Sequence, residues 1–208
     1  MNKPLIILGN GGHASVLSEI LKSQSRKIIG FTSPQREKNL QGIVYLGEED
    51  IIFEYSPSEV ELVLGLGSTH IDDKRKNIFT KFIEKNYRFS NVIHSSSIIS
   101  PSCELGQGVQ LMAGSIIQAN TKIADNTIIN TGAKVDHDCI IESHVHIAPG
   151  TTISGNVIIG ESTHIGVGST IIQGITIGKS CMIGAGSVLI RSIHDESKVY
   201  GVPAKEVK

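Results

Sequence analysis

The stretch KVDHDCIIESHVHIAPG, residues 134–150, gathers three histidines and three carboxylates among small and β-branched residues. Three roles are open to such a set. Imidazoles at short spacing can hold a divalent metal, and a histidine turned inward can serve packing alone. An imidazole beside a carboxylate can move a proton near neutral pH, because the acid orients the ring and raises its basicity. His137 stands between Asp136 and Asp138, while His144 and His146 alternate two residues apart. The direction of each side chain decides among these roles, and the periodicity of the surrounding chain sets the directions.

From Ile93 to Leu189 an aliphatic residue recurs at every sixth position (Ile93, Ile99, Leu105, Leu111, Ile117 and onward), seventeen matches with no insertion. Four residues after each sits a small or β-branched residue: Cys103, Val109, Ser115, Thr121, Thr127, Ala133, Cys139, Val145, Thr151, Val157, Thr163, Ser169. No charged residue enters either series. A period of six does not match the 3.6 residues of a helical turn, and glycine and β-branched residues are too frequent for helix. Two inward positions two residues apart fit a short strand followed by a turn. Three such units make an eighteen-residue triangular coil, and stacked coils bury a continuous aliphatic stripe. The pattern resembles the left-handed parallel β-helix of the hexapeptide-repeat acyltransferases, over about five and a half coils. Cys103, Cys139 and Cys181 fall on the small inward position and read as core residues.

In this register Val135, Cys139, Ile141, Val145 and Ile147 point inward, so His137, His144 and His146 point outward or toward corners. A packing role is therefore disfavoured. His144 and His146 share one strand, but His137 belongs to the preceding hexad and another side of the prism. Within one chain the three cannot easily converge, and H-x-H without a third nearby ligand is a weak metal signal. No metal is expected, and proton transfer by His137 fits better. One coil after His137, about 4.8 Å away, stands Gly155, whose N–H is free of side-chain cover and can face a developing oxyanion. His164 follows His146 by the same step.

Residues 4–92 follow a different grammar. LIILG reads as a strand, GNGGHA as a glycine turn and ASVLSEILKSQ as an amphipathic helix; KIIGF, IVYLG and VELVLGLGS read as strands, THIDDKRKNIFTKFIEKN as a helix and RFSNVI as a last strand. The alternation predicts a small Rossmann-like parallel α/β domain over 1–92, ahead of a β-helix domain with a C-terminal tail over 93–208. Gly9, Gly11 and Ala14 satisfy G-x-G-x-x-A, which sets backbone N–H groups and a helix N-terminus where a phosphate can sit. Dinucleotide binding needs an acidic residue at the end of the second strand; here Thr32 and Ser33 follow that strand, and one nucleotide diphosphate suits the loop better. Nineteen Lys and Arg against 20 Asp and Glu give no footprint for nucleic acid or an anionic membrane. The opening MNKPLIILGNGG is too poor in apolar residues for a signal peptide or membrane span. Three cysteines without an export signal predict a reduced, cytoplasmic protein.

The front GxGGH, the hexads and the terminal GVPAK (Gly201 to Lys205) together resemble the bacterial hexapeptide-repeat sugar acetyltransferases. These include N-acetyltransferases of nucleotide-linked 4-amino sugars and a branch that O-acetylates sialic acid. The resemblance implies a homotrimer that uses acetyl-CoA and a nucleotide-linked amino sugar. It implies His137 as general base tuned by Asp138, where the family usually carries Glu. It further implies acetyl-CoA contacts at His146 and at backbone groups of Val167 and Ala185. Gly11, Gly12, His13 and Gly67 match the family's nucleotide-sugar contacts, and Asn130 matches a polar residue near the acceptor. Thr32 and Ser33 replace the family's usual acidic pair. No Ser/His or Cys/His arrangement offers a nucleophile, so transfer is expected to be direct. The rival readings are O-acetylation of a sialic-acid-like sugar and, from other classes, a zinc-dependent hydratase or a non-catalytic binding module on the same β-helix.

Overall fold

The computed structural model describes residues 3–36, 38–39, 41–68 and 73–207. They form two compact units, and the chain passes from one to the other between Val92 and Ile93.

In the first unit, β1 (Leu5–Leu8), β2 (Ile28–Thr32), β3 (Tyr45–Gly47) and β4 (Glu61–Leu64) make a parallel sheet in the order β3-β2-β1-β4. All four residues of β1 are buried, as expected of a continuous apolar strand in the centre of a parallel sheet. Helix α1 spans Gly12–Ser23 and turns Ala14, Leu17, Ser18, Ile20 and Leu21 inward; α2 spans Lys74–Glu84. The sequence-based expectation for α2 begins at Thr69, and its first four residues lie outside the described ones. Three strands are shorter than expected. IVYLG pairs only from Tyr45, VELVLGLGS is a strand only over Glu61–Leu64, and RFSNVI splits into a single bridge from Phe89 to Leu62 and the strand Val92–Ile93. A 3-10 helix, Glu49–Glu54, was not expected; its one buried residue, Ile52, is too little apolar signal in too short a segment. The sheet reverses direction of growth at β1, with β2 on one side and β4 on the other. Crevices at such reversals, outside the carboxyl ends of the strands, are where ligands bind in α/β sheets.

The second unit is a left-handed parallel β-helix with three faces. The first carries Val92–Ile93, Gln110–Leu111, Ile128–Ile129, His146–Ile147, His164–Ile165 and Met182–Ile183, and continues into the hairpin Lys198–Gly201 with Ala204–Glu206. The second carries Ile98–Ile99, Ile116–Ile117, Lys134–Val135, Thr152–Ile153, Thr170–Ile171 and Val188–Leu189. The third carries Glu104–Leu105, Lys122–Ile123, Ile140–Ile141, Ile158–Ile159 and Thr176–Ile177. Between Ile98 and Leu189 each strand pairs with the one eighteen positions on, as Val135 with Ile153 and His146 with His164, while Met182–Ile183 meets Lys198–Val199 at a step of sixteen.

From Leu111 to Leu189 every member of the aliphatic series is at most 2% exposed. The small series is buried with it, and its hydroxyls have work: Thr121, Thr127, Thr151, Thr163 and Ser169 each donate to the carbonyl fifteen residues on. A buried acceptor left unpaired costs more than the bond itself contributes, which explains polar residues at an inward position. Cys139 makes the same contact through sulfur, and Cys181 reaches the carbonyl thirteen residues on, that of His194. Burial pushes both thiols above the usual range, so neither is poised as a nucleophile. Cys103, near the open end of the stack, is only half-buried. Truncating one central rung, Ile147→Ala, is expected to cost about 2–4 kcal/mol through lost transfer energy and a residual cavity, read as a lower urea midpoint.

A third regularity completes the hexad. Residues 108, 114, 120, 126 and onward to 186 all have positive φ; glycine alternates there with Asn120, Asn126, Asp138, His144, Asn156, Ser162 and Ser180. The corners turn through the left-handed region, which suits glycine, asparagine and aspartate best.

Candidate active site

His137 and Asp138 occupy the corner between the second and third faces. Asp136 follows the strand Lys134–Val135, and its Oδ1 accepts the His137 backbone N–H at 2.9 Å. That leaves Asp138 for the ring: His137 Nδ1 lies 2.7 Å from Asp138 Oδ2. The shorter acid therefore reaches. With Nδ1–H donated to a carboxylate, the neutral ring presents Nε2 as a free acceptor. The Asp138 hydrogen bond, aided by the Asp136 and Asp138 charges, raises the imidazole pKa above its ordinary value. The His137 bond and a second one from Asn120 hold Asp138 below the usual carboxylate range. The His137 and Asp138 side chains are 58% and 50% exposed, so the pair is open to a substrate.

Gly155 lies one coil on, beneath the ring. A Cβ there would fall 2.6 Å from Cε1 and from Nε2 of His137, so the imidazole rests where a side chain would otherwise stand. The Gly155 carbonyl accepts from Gly174, and the flanking N–H groups of Ser154 and Asn156 bond to Ile171 and His137. Among the described residues no backbone bond takes the Gly155 N–H. A cleft of 380 Å³ runs over the second face past this corner, lined by Gln118, Lys134, Asp136, Thr152 and Ser154 among others.

A second group gathers on the first face. His146 holds the expected outward register, yet it is buried at 8% exposure, as is His164. Outward direction on a strand does not imply solvent. Their rings meet edge to face at 4.8 Å, and Asn130 Nδ2 sits 3.1 Å from His146 Nε2. His144 instead pairs with Asn126 at 2.9 Å. Among the described residues no three His, Cys, Asp or Glu side chains are grouped to hold a metal ion. Val167 and Ala185 are exposed at the next corner, between the first and second faces; the ladder uses the Val167 carbonyl, with Gly186 N–H at 2.8 Å. The second face thus separates this group from His137 within one chain.

The third group lies in the first unit, at the sheet reversal. The Gly9–Gly11 loop leaves β1 and leads into α1, and the Gly65–Gly67 turn leaves β4. Side chains are excluded between them: a Cβ on Gly65 would fall 2.8 Å from that of Ala14 and 2.9 Å from the Leu8 carbonyl oxygen. A Cβ on Gly67 would fall 3.3 Å from that of His13, while Gly11 and Gly12 are exposed at the start of α1. Thr32 and Ser33 line a small cleft with Leu8, Gly9, Pro34, Glu48 and Leu66. Sequence reasoning did not identify Asn120; the eighteen-residue step that found Gly155, taken backward from Asp138, leads to it.

Comparisons with known proteins agree with this fold. Residues 4–82 match the PglD N-terminal domain, and residues 120–155 and 156–191 match the bacterial transferase hexapeptide of six repeats. The acetyltransferase domain of PglB from Neisseria gonorrhoeae FA1090, solved in complex with acetyl coenzyme A, is 32% identical over 100% of both chains, with a TM-score of 0.93. A mutant GDP-perosamine N-acetyl transferase from Caulobacter crescentus, in complex with CoA and GDP-perosamine, is 34% identical over 99% of this chain and 97% of its own, with a TM-score of 0.91. WeeI from Acinetobacter baumannii AYE shares the fold at 22% identity, covering 99% of this chain and 100% of its own with a TM-score of 0.87. No helix among the described residues is long and apolar enough to cross a membrane.

Proposed function

The chain belongs to the acetyl-CoA-dependent hexapeptide sugar acetyltransferases with a PglD-type N-terminal domain, and from that footing we propose that it N-acetylates a nucleotide-linked 4-amino sugar, with His137 as general base. The observation that carries the proposal is the His137–Asp138 contact of 2.7 Å, which leaves Nε2 free at an exposed corner. Acetyl-CoA supplies a thioester whose carbonyl carbon the amine attacks. As the C–N bond forms, the amine proton passes to His137 Nε2 and the CoA thiolate departs. The Gly155 N–H faces the carbonyl oxygen as it gains charge. The exposed turn at Val167 and Ala185, together with His146, suits the pantetheine arm.

The first unit takes the nucleotide. Gly11, Gly12 and His13 offer N–H groups at a helix start, Gly67 permits close approach, and Thr32 and Ser33 meet the base or ribose. Asn130, held at His146, serves the acceptor. Because His137 and the His146 group lie on different sides of one prism, a complete site draws on two chains. A homotrimer of β-helices meets that need.

The test is acetyl-CoA consumption with UDP-, dTDP- and GDP-linked 4-amino sugars beside free sialic acids, with no metal added. Turnover on a nucleotide-linked amino sugar is expected. Turnover confined to sialic acids would replace the acceptor amine by a hydroxyl and sink the N-acetyl reading.

A further inference from the structure

Down the corner between the second and third faces, residues eighteen apart stack as Ser102, Asn120, Asp138 and Asn156. The Asn120 backbone N–H donates to Ser102 Oγ at 2.9 Å, and the Asp138 N–H donates to the Ala119 carbonyl at 2.9 Å. Asn120 Nδ2 then donates to Asp138 Oδ1 at 3.0 Å, while Asp138 Oδ2 takes His137 Nδ1 at 2.7 Å. The two oxygens of one carboxylate thus have separate partners, one on each side. An aspartate on an exposed corner has free rotation about its terminal torsion, and with only one partner it would swing. With Oδ1 tied, Oδ2 has one place to be.

We propose that Asn120 is a positioning residue for proton transfer: by fixing Asp138 Oδ1 it presents Oδ2 to the imidazole, setting both the tautomer and the aim of Nε2. The proposal rests on the reading of His137 as base and extends it by one coil. It also accounts for a working aspartate where the family usually carries glutamate. The shorter side chain reaches the ring because the preceding coil steadies it. The ionisable groups that face the imidazole are Asp138, by hydrogen bond, and Asp136, through space. Asn120 adds no charge to that set, so its influence can pass only through Asp138.

The backbone dictates the variant. Asn120 sits at φ 60°, where alanine would be strained and glycine would not, so Asn120→Gly removes the amide alone. In histidine-labelled protein followed by NMR, the His137 titration should move down toward the ordinary histidine value, since the bond that raises it loses its alignment. On the acceptor, kcat should fall about threefold to tenfold, the kinetic equivalent of one hydrogen bond, with the KM for acetyl-CoA unchanged. In an Asp138→Asn background, Asn120→Gly should add nothing to either loss. An unmoved His137 titration overturns the proposal, as does a kcat loss that is equally large without the Asp138 carboxylate. Asn120→Asp, which also tolerates left-handed backbone but cannot donate when ionised, is the second variant; full activity in it overturns the proposal too. If His137→Ala keeps its kcat while Asn120→Gly still moves the titration, the hydrogen-bond chain stands and the base assignment is what has failed.

Discussion

His137→Ala should lower kcat by roughly 10²–10⁴-fold, the usual worth of a positioned general base. The imidazole is the group whose Nε2 meets the acceptor proton, and no second ionisable side chain at that corner has a free acceptor nitrogen. The KM for acetyl-CoA should change little, because the pantetheine contacts are assigned to another corner. Thermal stability should hardly move, since the side chain is 58% exposed and carries no core contact. Asp138→Ala should cost less and reshape the pH profile. A base works when neutral, so kcat rises with pH through the His137 pKa; Asp138 raises that pKa. Removing the carboxylate should therefore carry the acidic limb to lower pH while the plateau drops. Near wild-type kcat in His137→Ala on its true acceptor would falsify the mechanism.

The second large effect is expected at a residue with no side chain. Gly155→Ala places a methyl 2.6 Å from two ring atoms of His137 and 3.1 Å from a third. Ordinary contact begins at 3.4 Å, so the imidazole must tilt or slide by close to an ångström. A misplacement of about 1 Å in a reacting group costs roughly 10²-fold in rate. The glycine is not at positive φ, so alanine fits the backbone and the melting temperature should stay near that of the wild type. Alanine also keeps the N–H, so lost rate reports the ring and not the loss of an oxyanion donor. Steady-state kinetics beside a crystal structure of the variant decide it. A kcat within twofold of wild type, with the ring displaced, would mean that the aim of Nε2 does not matter.

The β-helix was legible because its rule is local and repeats. Each hexad spends one position on an aliphatic side chain and one on a small residue, and both are visible as residue types. The left-handed corners were not read, although they repeat as strictly. Glycine, asparagine, aspartate, serine and even His144 share those positions, so the rule lies in φ and is only half visible in composition. Asn120 went unseen for that reason, being one corner residue among many. His137, Asp138 and Gly155 were legible because a charged pair and an eighteen-residue step are both written in the chain. His146 shows the limit. Strand alternation gave its direction correctly, but cover is a tertiary property, and the ring is buried. In the first unit the glycine loop was legible by spacing. The 3-10 helix at Glu49–Glu54 and the short β3 were not, because three to six residues carry too little periodicity to separate helix from strand.

Stacked coils touch only their neighbours above and below, so a solenoid of this kind behaves as a one-dimensional chain of couplings. Such a chain frays from its ends, where each coil has one neighbour in place of two. Ile99, Cys103 and Leu105 in the first coil are already partly open to solvent, whereas the opposite end is closed by the hairpin of Lys198–Gly201 and Ala204–Glu206. Asn120, His137 and Gly155 fall on the second, third and fourth of about five coils. Their amides belong to the part of the stack that opens last, so brief losses of the terminal coils during thermal fluctuation leave the proton-transfer geometry standing.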